Sequence, residues 1–143
     1  MAKLLPLKLY RRIYSKVPRL CVELIIKSPK GIVLIKRGEH EEGPDKGTWH
    51  LPGKTLLFGE TIPAGLRRVA KNETGLKVNV TKFLGYHDYR PDTGYGHTIS
   101  LFFLATPVGG KLKDAEGREI HYFKKLPSNI GFGQRAVIKK FKV

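Results

Sequence analysis

The segment that decides the fold reads WHLPGKTLLFGE over residues 49–60 and continues as IPAGLRRVAKNET over residues 62–74. Thr61, between the two, is suited to cap a helix, because its hydroxyl can accept a hydrogen bond from an unpaired N–H group of the first turn. Pro63 falls in that first turn, where the missing N–H does no harm, and Gly75 is suited to end the helix. The segment therefore predicts a glycine-containing loop followed by a helix over residues 62–74.

Patterns on either side of this segment predict strands and two further helices. Leu9, Ile13 and Val17 are spaced four residues apart. This spacing favours a short amphipathic helix over residues 7–17, which Pro18 ends. Apolar runs bounded by turn residues predict the strands, of which the first two form a hairpin. The predicted elements are strands at 20–26, 32–36, 78–86, 98–105 and 120–123, and a C-terminal helix at about 132–141. Strands on both sides of a central helix, followed by a closing helix, indicate an α/β domain with a mixed sheet between helices.

Length and composition favour one intracellular domain. The chain has 143 residues, of which 41% are hydrophobic, enough to bury one core. We therefore predict a single domain over residues 1–143, with residues 1–18 as a basic, helical N-terminal lead-in. The sequence contains no run of about 18 apolar residues, which a membrane-spanning helix would require. The basic N-terminus lacks the cleavage site of a secretory signal. We expect a cytoplasmic protein with no membrane partner.

The charge is strongly basic and unevenly distributed. The formal net charge is +15, from 27 Lys and Arg against 12 Asp and Glu, and no acidic residue precedes Glu23 or follows Glu119. Basic ends of this kind attract phosphate-bearing partners, from nucleotides to nucleic acids. RNA bound through the basic termini is therefore one predicted partner. The sequence has no known RNA-binding motif, however, and a solvated, solubilising surface explains the same charge.

Five residues of the central segment follow the spacing of a known motif. They are Glu60, Arg68, Glu73, Gly75 and Leu76. Their spacing resembles the Nudix box, in which Gly, five residues, Glu and seven residues precede Arg-Glu-apolar-any-Glu-Glu-any-Gly-apolar. The order of the predicted elements is also similar to that of Nudix proteins along nearly the whole chain. The resemblance implies a Nudix-type α/β/α sandwich with a mixed sheet.

Three positions of the box depart from the pattern. Lys54 stands at the opening glycine, and Val69 and Asn72 replace two of the three clustered glutamates. One subfamily, the GDP-mannose mannosyl hydrolases, has a similar gap: it keeps the last glutamate and attacks the anomeric carbon of the sugar instead of phosphorus. The chain is most similar to that subfamily. This resemblance implies hydrolysis of a nucleotide sugar such as GDP-mannose, with release of a nucleoside diphosphate.

The resemblance also implies a metal site. In Nudix hydrolases the box holds Mg²⁺ or Mn²⁺ against a diphosphate, and such hard cations bind oxygen ligands. By resemblance, the ligands here are the Gly53 carbonyl, the Glu73 carboxylate and Glu116, which stands where the subfamily has a glutamine. Arg68 would orient the carboxylates of the box, and Glu60 would tie the loop to the helix. A pair that only staples the loop is the alternative for these two residues.

The general base of the subfamily is absent, because Gly117 stands at the position of its histidine. Many Nudix proteins carry a functional glutamate on the same loop, and Glu119 is therefore the first candidate for the base. A neutral imidazole also suits this task near pH 7, although a histidine is more often a surface or packing residue. The alternates on neighbouring segments are His87, His97, Asp88 and Asp92.

Further residues are candidate substrate contacts. Arg37 follows the second predicted strand, and its guanidinium suits a phosphate, with a solvated arginine as the alternative. Lys54 could touch a phosphate or partly replace the charge of a metal, or it could point to solvent. Tyr89, with Tyr86 and Tyr95, could stack on a base or sugar, or pack in the core.

Three functions follow from these observations. The first is a Mg²⁺-dependent Nudix hydrolase that acts on a nucleotide sugar. The second is a weakened pyrophosphohydrolase that acts on a nucleoside diphosphate linked to another group. The third is a catalytically inactive Nudix domain that binds RNA or nucleotide through its basic surface. A homodimer is also left open by the sequence.

Overall fold

Seven strands and three α-helices form the described part of the chain, which is residues 3–38, 41, 45–90 and 96–143 of a computed structural model. In chain order they are α1 (Leu7–Tyr14), β1 (Arg19–Ser28), β2 (Gly31–Lys36), β3 (Trp49–His50), β4 (Gly53–Thr55), α2 (Ile62–Val69), β5 (Leu76–Tyr89), β6 (Thr98–Gly110), β7 (Ile120–Phe123) and α3 (Gln134–Lys140). The predicted site residues Asp92 and Tyr95 lie outside the described residues.

The sheet is mixed, because β1 and β6 are parallel while the other paired strands are antiparallel. β1 pairs with β6 from Arg19 to Ile26. It pairs with β2 next to their hairpin turn, at Lys27 and Ser28. Beyond the turn, β1 pairs with β4, whereas β2 pairs with β3 and β7. The two strands of the hairpin therefore diverge, and a cleft opens between them.

α2 and α3 pack on opposite faces of β1, because successive side chains of a strand point to opposite sides of the sheet. Val22 and Leu24 belong to one buried cluster with Val69 of α2. Ile25 belongs to a second buried cluster with Ile138 of α3. The predicted α/β/α sandwich with a mixed sheet is therefore confirmed.

The helix predicted over residues 62–74 forms, but only its first part is α-helical. It begins at Thr61, whose hydroxyl accepts a hydrogen bond from the Ala64 N–H at 3.2 Å. The α-helical part is Ile62–Val69, and Ala70–Thr74 form a π-helical turn. Such turns add a residue to one turn of a helix and are frequent at functional sites.

The π-helical turn points two polar side chains into the interior. Glu73 is 3% exposed, and Thr74 is fully buried and donates a hydrogen bond from its hydroxyl to the Ala70 carbonyl. The turn ends at Gly75, which has the left-handed φ of +72° that glycine adopts without strain. The end of this helix therefore fixes the position of the last box glutamate.

The sequence does not predict β3 and β4, which have two and three residues. Strands of this length are too short to show an alternating pattern, and their pairing partners β2 and β1 define them instead. β5 and β6 extend beyond the predicted ranges, and both terminal helices are shorter than predicted. The predicted order of the remaining elements is correct.

The described helices are short. α1 and α2 have eight residues each, and α3 has seven. A helix needs about 20 apolar residues to cross a bilayer, and none of the helices in the described ranges meets this requirement.

We expect Gly75→Ala to destabilise the fold far more than Gly59→Ala. Both glycines have a left-handed backbone, with φ of +72° and +79°, so alanine costs roughly 1–2 kcal/mol at either position. At Gly75 an added Cβ would also lie 2.2 Å from the Lys111 carbonyl oxygen, whereas at Gly59 nothing lies within 4 Å. In urea unfolding, Gly59→Ala should lower the free energy of unfolding by about 1 kcal/mol, and Gly75→Ala by more than about 3 kcal/mol. Equal losses would show that the turn relaxes around the new methyl group.

Candidate active site

The cleft beside the diverging strands β1 and β2 has a volume of about 660 Å³. Residues of β1, of the loop after β2, of the β3–β4 segment, of the end of β5 and of the turn before α3 line it. Residues of α1, of the π-helical turn, of β6 and of the segment before β7 line it as well, so segments that are distant in sequence meet at this place. A concave site of this size suits a small-molecule ligand.

A bidentate ion pair joins the box loop to α2. Arg68 donates from Nε to Glu60 Oε2 at 2.8 Å and from Nη2 to Glu60 Oε1 at 3.0 Å. It also donates to the Thr55 carbonyl at 2.9 Å, and Glu60 accepts the Leu57 N–H at 3.1 Å. The hydrogen bonds from Arg68 lower the pKa of Glu60. Arg68 does not line the cleft, so the pair holds the loop that carries cleft residues.

Glu73 is the central carboxylate of the cleft. Its Oε1 accepts the Gly53 N–H at 2.7 Å, and its Oε2 accepts from Arg118 Nη2 at 3.0 Å. The Lys54 ammonium lies 3.7 Å from the same Oε2. Burial raises the pKa of Glu73, against the opposing effect of the two cations. One buried carboxylate is therefore held by a backbone N–H and two positive side chains.

Asp114 fixes the position of Arg118. Arg118 donates from Nε and Nη2 to the two Asp114 oxygens, at 3.0 and 2.9 Å. The backbone N–H groups of Glu116 and Arg118 also donate to Asp114. Burial would raise the pKa of Asp114, but these bonds outweigh it and lower the pKa. Arg118 was not predicted as a site residue, although its position four residues after an aspartate is a signal for this pair.

Glu23 is a second buried carboxylate in the cleft. Its Oε1 accepts from Gln134 Nε2 at 2.8 Å, while Gln134 Oε1 accepts the Leu51 N–H at 2.7 Å. A Cβ on Gly53 would lie 2.4 Å from Glu23 Cγ, so this position requires glycine. Burial raises the pKa of Glu23 to about 7, helped by the nearby charge of Glu73. Neither Glu23 nor Gln134 was predicted as a site residue from the sequence.

His50 is a buried histidine in the wall of the cleft. Its Nδ1 lies 2.9 Å from the Leu51 carbonyl oxygen, which can only accept, so the proton of the neutral ring is on Nδ1. Its Nε2 is buried and has no hydrogen-bond partner among the described residues. Burial lowers the pKa of His50 to about 4. The ring lies 5.6 Å from that of Phe132, a cleft residue with a left-handed φ of +58°.

Several predicted site residues line the cleft. They are Arg37, Gly53, Lys54, Glu73, His87 and Tyr89. The Arg37 guanidinium lies 3.5 Å from Glu41 and 5.5 Å from the centre of the Phe132 ring. The His87 ring packs edge-on against Tyr89 at 4.6 Å, and burial lowers the pKa of His87. The structure therefore brings these candidates together.

The other predicted residues lie outside the cleft. They are Arg68, His97, Glu116 and Glu119. His97 Nε2 lies 2.8 Å from Asp88 Oδ1, and Asp88 itself lines the cleft. Glu119 is half exposed and pairs with His121 at 3.3 Å. The geometry does not favour Glu119 as the base. Successive side chains at this point of the chain lie on opposite sides, so that Arg118 lines the cleft and Glu119 does not.

The predicted metal ligand Glu116 is separated from Glu73 by Arg118. The Arg118 guanidinium contacts Glu73 through Nη2 at 3.0 Å and Glu116 through Nε at 3.4 Å. Glu116 is largely exposed, with 63% of its side chain accessible. The two carboxylates therefore share an arginine.

A family comparison agrees with this architecture and with the box. The model of the NUDIX domain matches residues 17–130. The chain belongs to the Nudix hydrolase family. It is 35% identical over 127 residues to the ADP-ribose pyrophosphatase of Methanocaldococcus jannaschii, a match that covers 87% of this chain and 73% of that protein. It is 34% identical over 106 residues to the low-salt glycan biosynthesis protein Agl8 of Haloferax volcanii, covering 73% of this chain and 66% of that protein.

Solved structures of Nudix proteins share the fold. The MutT Nudix hydrolase of Burkholderia pseudomallei superposes with a TM-score of 0.73 at 22% identity, covering 87% of this chain and 98% of that one. A UDP-X diphosphatase superposes with a TM-score of 0.68 at 17% identity, covering 98% of this chain and 71% of that one. At this level of identity the likeness concerns the fold alone.

Nudix hydrolases generally use divalent metal ions such as Mg²⁺, and the cleft residues of this member do not fit one. Among the described residues, no three His, Cys, Asp or Glu side chains are grouped to hold a metal ion. Val69 is buried in the core and Asn72 is exposed, so neither supplies a carboxylate. Both oxygens of Glu73 accept N–H groups, and the side chains of Arg118 and Lys54 already place positive charge beside this carboxylate.

We expect His50→Gln to remove part of the loss of stability in acid. The pKa of His50 is 6.5 for a free side chain and about 4 in the folded protein. Between these values the unfolded chain binds a proton that the folded chain does not, so the free energy of unfolding falls as pH falls from about 6.5 to about 4. The contribution is on the order of 3 kcal/mol. Denaturant unfolding at several pH values measures it. A His50→Gln curve parallel to the wild type would contradict the prediction.

Proposed function

We propose that this Nudix protein hydrolyses a nucleoside diphosphate linked to a second group, with nucleotide sugars such as GDP-mannose as the first class to test. The observation that carries the proposal is the arrangement of Arg37 and Lys54 beside the buried carboxylates Glu23 and Glu73 in one cleft. A diphosphate linkage requires positive groups for its oxygens, and hydrolysis requires a group that takes a proton from water. Both requirements are met within the same cavity.

The rest of the cleft suits a base and a sugar. Tyr89 and Phe132 offer aromatic faces or edges to a flat or partly apolar ring. These contacts support a ligand that extends beyond the diphosphate on at least one side.

Glu23 is the best placed group to activate water. Burial raises its pKa to about 7, so it can accept a proton near neutral pH. Gln134 donates to one of its oxygens and holds the carboxylate in place. His87, which also lines the cleft, is the second candidate. Lys54 and Arg37 stabilise the negative charge of the departing nucleoside diphosphate by proximity.

Attack at phosphorus on the same class of substrate is the second candidate function. The relative from M. jannaschii is an ADP-ribose pyrophosphatase, and this chain is 35% identical to it. The cleft residues support either route, because both need positive groups at the diphosphate and a base for water. RNA binding through the basic ends, a cytoplasmic location and a homodimer stay predictions from the sequence.

Hydrolysis in ¹⁸O-labelled water distinguishes the two routes. A panel of nucleotide sugars and ADP-ribose is incubated with the protein, with Mg²⁺ in one arm and with EDTA in the other. For the leading proposal we expect a nucleoside diphosphate product and label in the sugar, because water attacks the anomeric carbon. Label in a phosphate product would transfer the assignment to a pyrophosphohydrolase. Absence of turnover in the whole panel would contradict both.

We expect Glu23→Gln to lower kcat by about 100-fold or more with little change in KM. The amide keeps the size of the side chain but cannot take a proton from water. The matched variant Glu119→Gln tests the candidate from the sequence. A large loss in Glu119→Gln with normal kcat in Glu23→Gln would return the role of base to Glu119. Steady-state kinetics on the best substrate of the panel provides the measurement.

A further inference from the structure

Two side-chain cations from distant segments meet at one buried carboxylate. Lys54 Nζ lies 3.7 Å from Glu73 Oε2, and Arg118 Nη2 lies 3.0 Å from the same oxygen. The Lys54 side chain is half exposed, whereas the Arg118 side chain is 8% exposed. Lys54 therefore reaches both the carboxylate and the open part of the cleft.

The structure fixes the Arg118 guanidinium and the backbone of Lys54. Lys54 belongs to β4, where it pairs with Val22 of β1, and its ammonium is directed to Glu73 at 3.7 Å. Arg118 donates hydrogen bonds to both oxygens of Asp114, which is 2% exposed. Arg118 therefore does not depend on a ligand for its position. Preorganised positive charge of this kind stabilises an anion without the cost of rearranging the site.

We propose that Lys54 and Arg118 take the place of the divalent cation, so that the cleft binds a diphosphate without Mg²⁺ or Mn²⁺. This inference rests on the proposed function, because it concerns the same cleft and the same ligand class. An ammonium has three donors, enough to contact Glu73 and a phosphate oxygen at the same time. Lys54 thus bridges carboxylate and phosphate, as a metal ion does.

The composition of the cleft explains why a metal ion is disfavoured. A divalent cation beside Glu73 would face two positive side chains, and Glu73 already accepts from Gly53 and Arg118. Both carboxylate oxygens of Asp114 accept hydrogen bonds from Arg118. The negative charge that binds metal in the family is thus neutralised here by the protein itself.

Isothermal titration with GDP and ADP tests the proposal, once in EDTA and once in Mg²⁺. We expect the wild-type affinity of the better nucleotide to agree within about threefold between the two buffers. Lys54→Met should weaken it at least about tenfold in EDTA, because the bridge to the phosphate is lost, whereas Lys54→Arg should retain most of it. Lys77→Met, at an exposed lysine of β5, removes the same net charge elsewhere and should bind as the wild type does. Arg118→Met is less useful, because it leaves Asp114 and Glu73 buried without their cation.

Several results would overturn the proposal. The first is nucleotide binding in Mg²⁺ but not in EDTA, and the second is wild-type affinity in Lys54→Met. The third is binding of Mn²⁺ alone, followed by electron paramagnetic resonance, with a dissociation constant well below about 1 mM. Turnover that requires Mg²⁺, with no binding in EDTA, would overturn this inference and leave the proposed function in place. Absence of nucleotide binding in both buffers would overturn the two together.

Discussion

The buried carboxylate of Glu73 is the constraint on which the rest of the cleft depends. An ionised carboxylate taken out of water costs several kcal/mol unless its oxygens are satisfied. Here Gly53 supplies a backbone N–H and Arg118 supplies a guanidinium. These contacts join three parts of the chain: the π-helical turn, the box loop and the segment before β7. The hydrogen bonds of Glu73 therefore hold together three of the segments that form the cleft, and they do so without a ligand.

The replacement of a box glutamate by Val69 changes packing and chemistry at once. Val69 is fully buried in the cluster that α2 forms with β1. A carboxylate in that environment would need a partner, whereas valine gains stability of roughly 1.5–3 kcal/mol by burial. Asn72, by contrast, is exposed and carries no charge. The two departures together remove negative charge from the helix and leave Glu73 as its inward acid.

The fold was predictable from the sequence because its elements follow local patterns. The apolar run that contains Val22 and Ile25 and the cap at Thr61 each depend on neighbours in the chain, and the structure contains a strand and a helix there. The Glu60–Arg68 pair was predictable for the same reason, since its members are eight positions apart in the chain, one on the box loop and one on α2. Patterns of this range are readable without knowledge of the tertiary structure.

Half of the cleft was not predictable, because its contacts join distant positions. Gln134 and Glu23 are 111 residues apart, and Arg118 and Glu73 are 45 apart. The periodicity of a sequence does not indicate contacts between residues that are so far apart in the chain. The base candidate Glu119 could not be distinguished from its neighbour in the same way. Adjacent side chains along an extended segment point to opposite sides, so an error of one position selects the outward residue instead of the inward one. On this loop the inward side chain is that of Arg118, which contacts Glu73.

The charge of the whole chain and the charge of the cleft have different roles. In the cleft, Lys54 and Arg118 are balanced by Glu73 and Asp114, so these four groups contribute no net charge. The chain as a whole carries +15, and a field of that sign raises the encounter rate of anions with the surface. Attraction over distance thus comes from residues that do not touch the ligand. For the diphosphate that we propose as ligand, the charge within the cleft would position the phosphate oxygens, and a balanced cluster does this without the electrostatic cost of burying uncompensated positive groups.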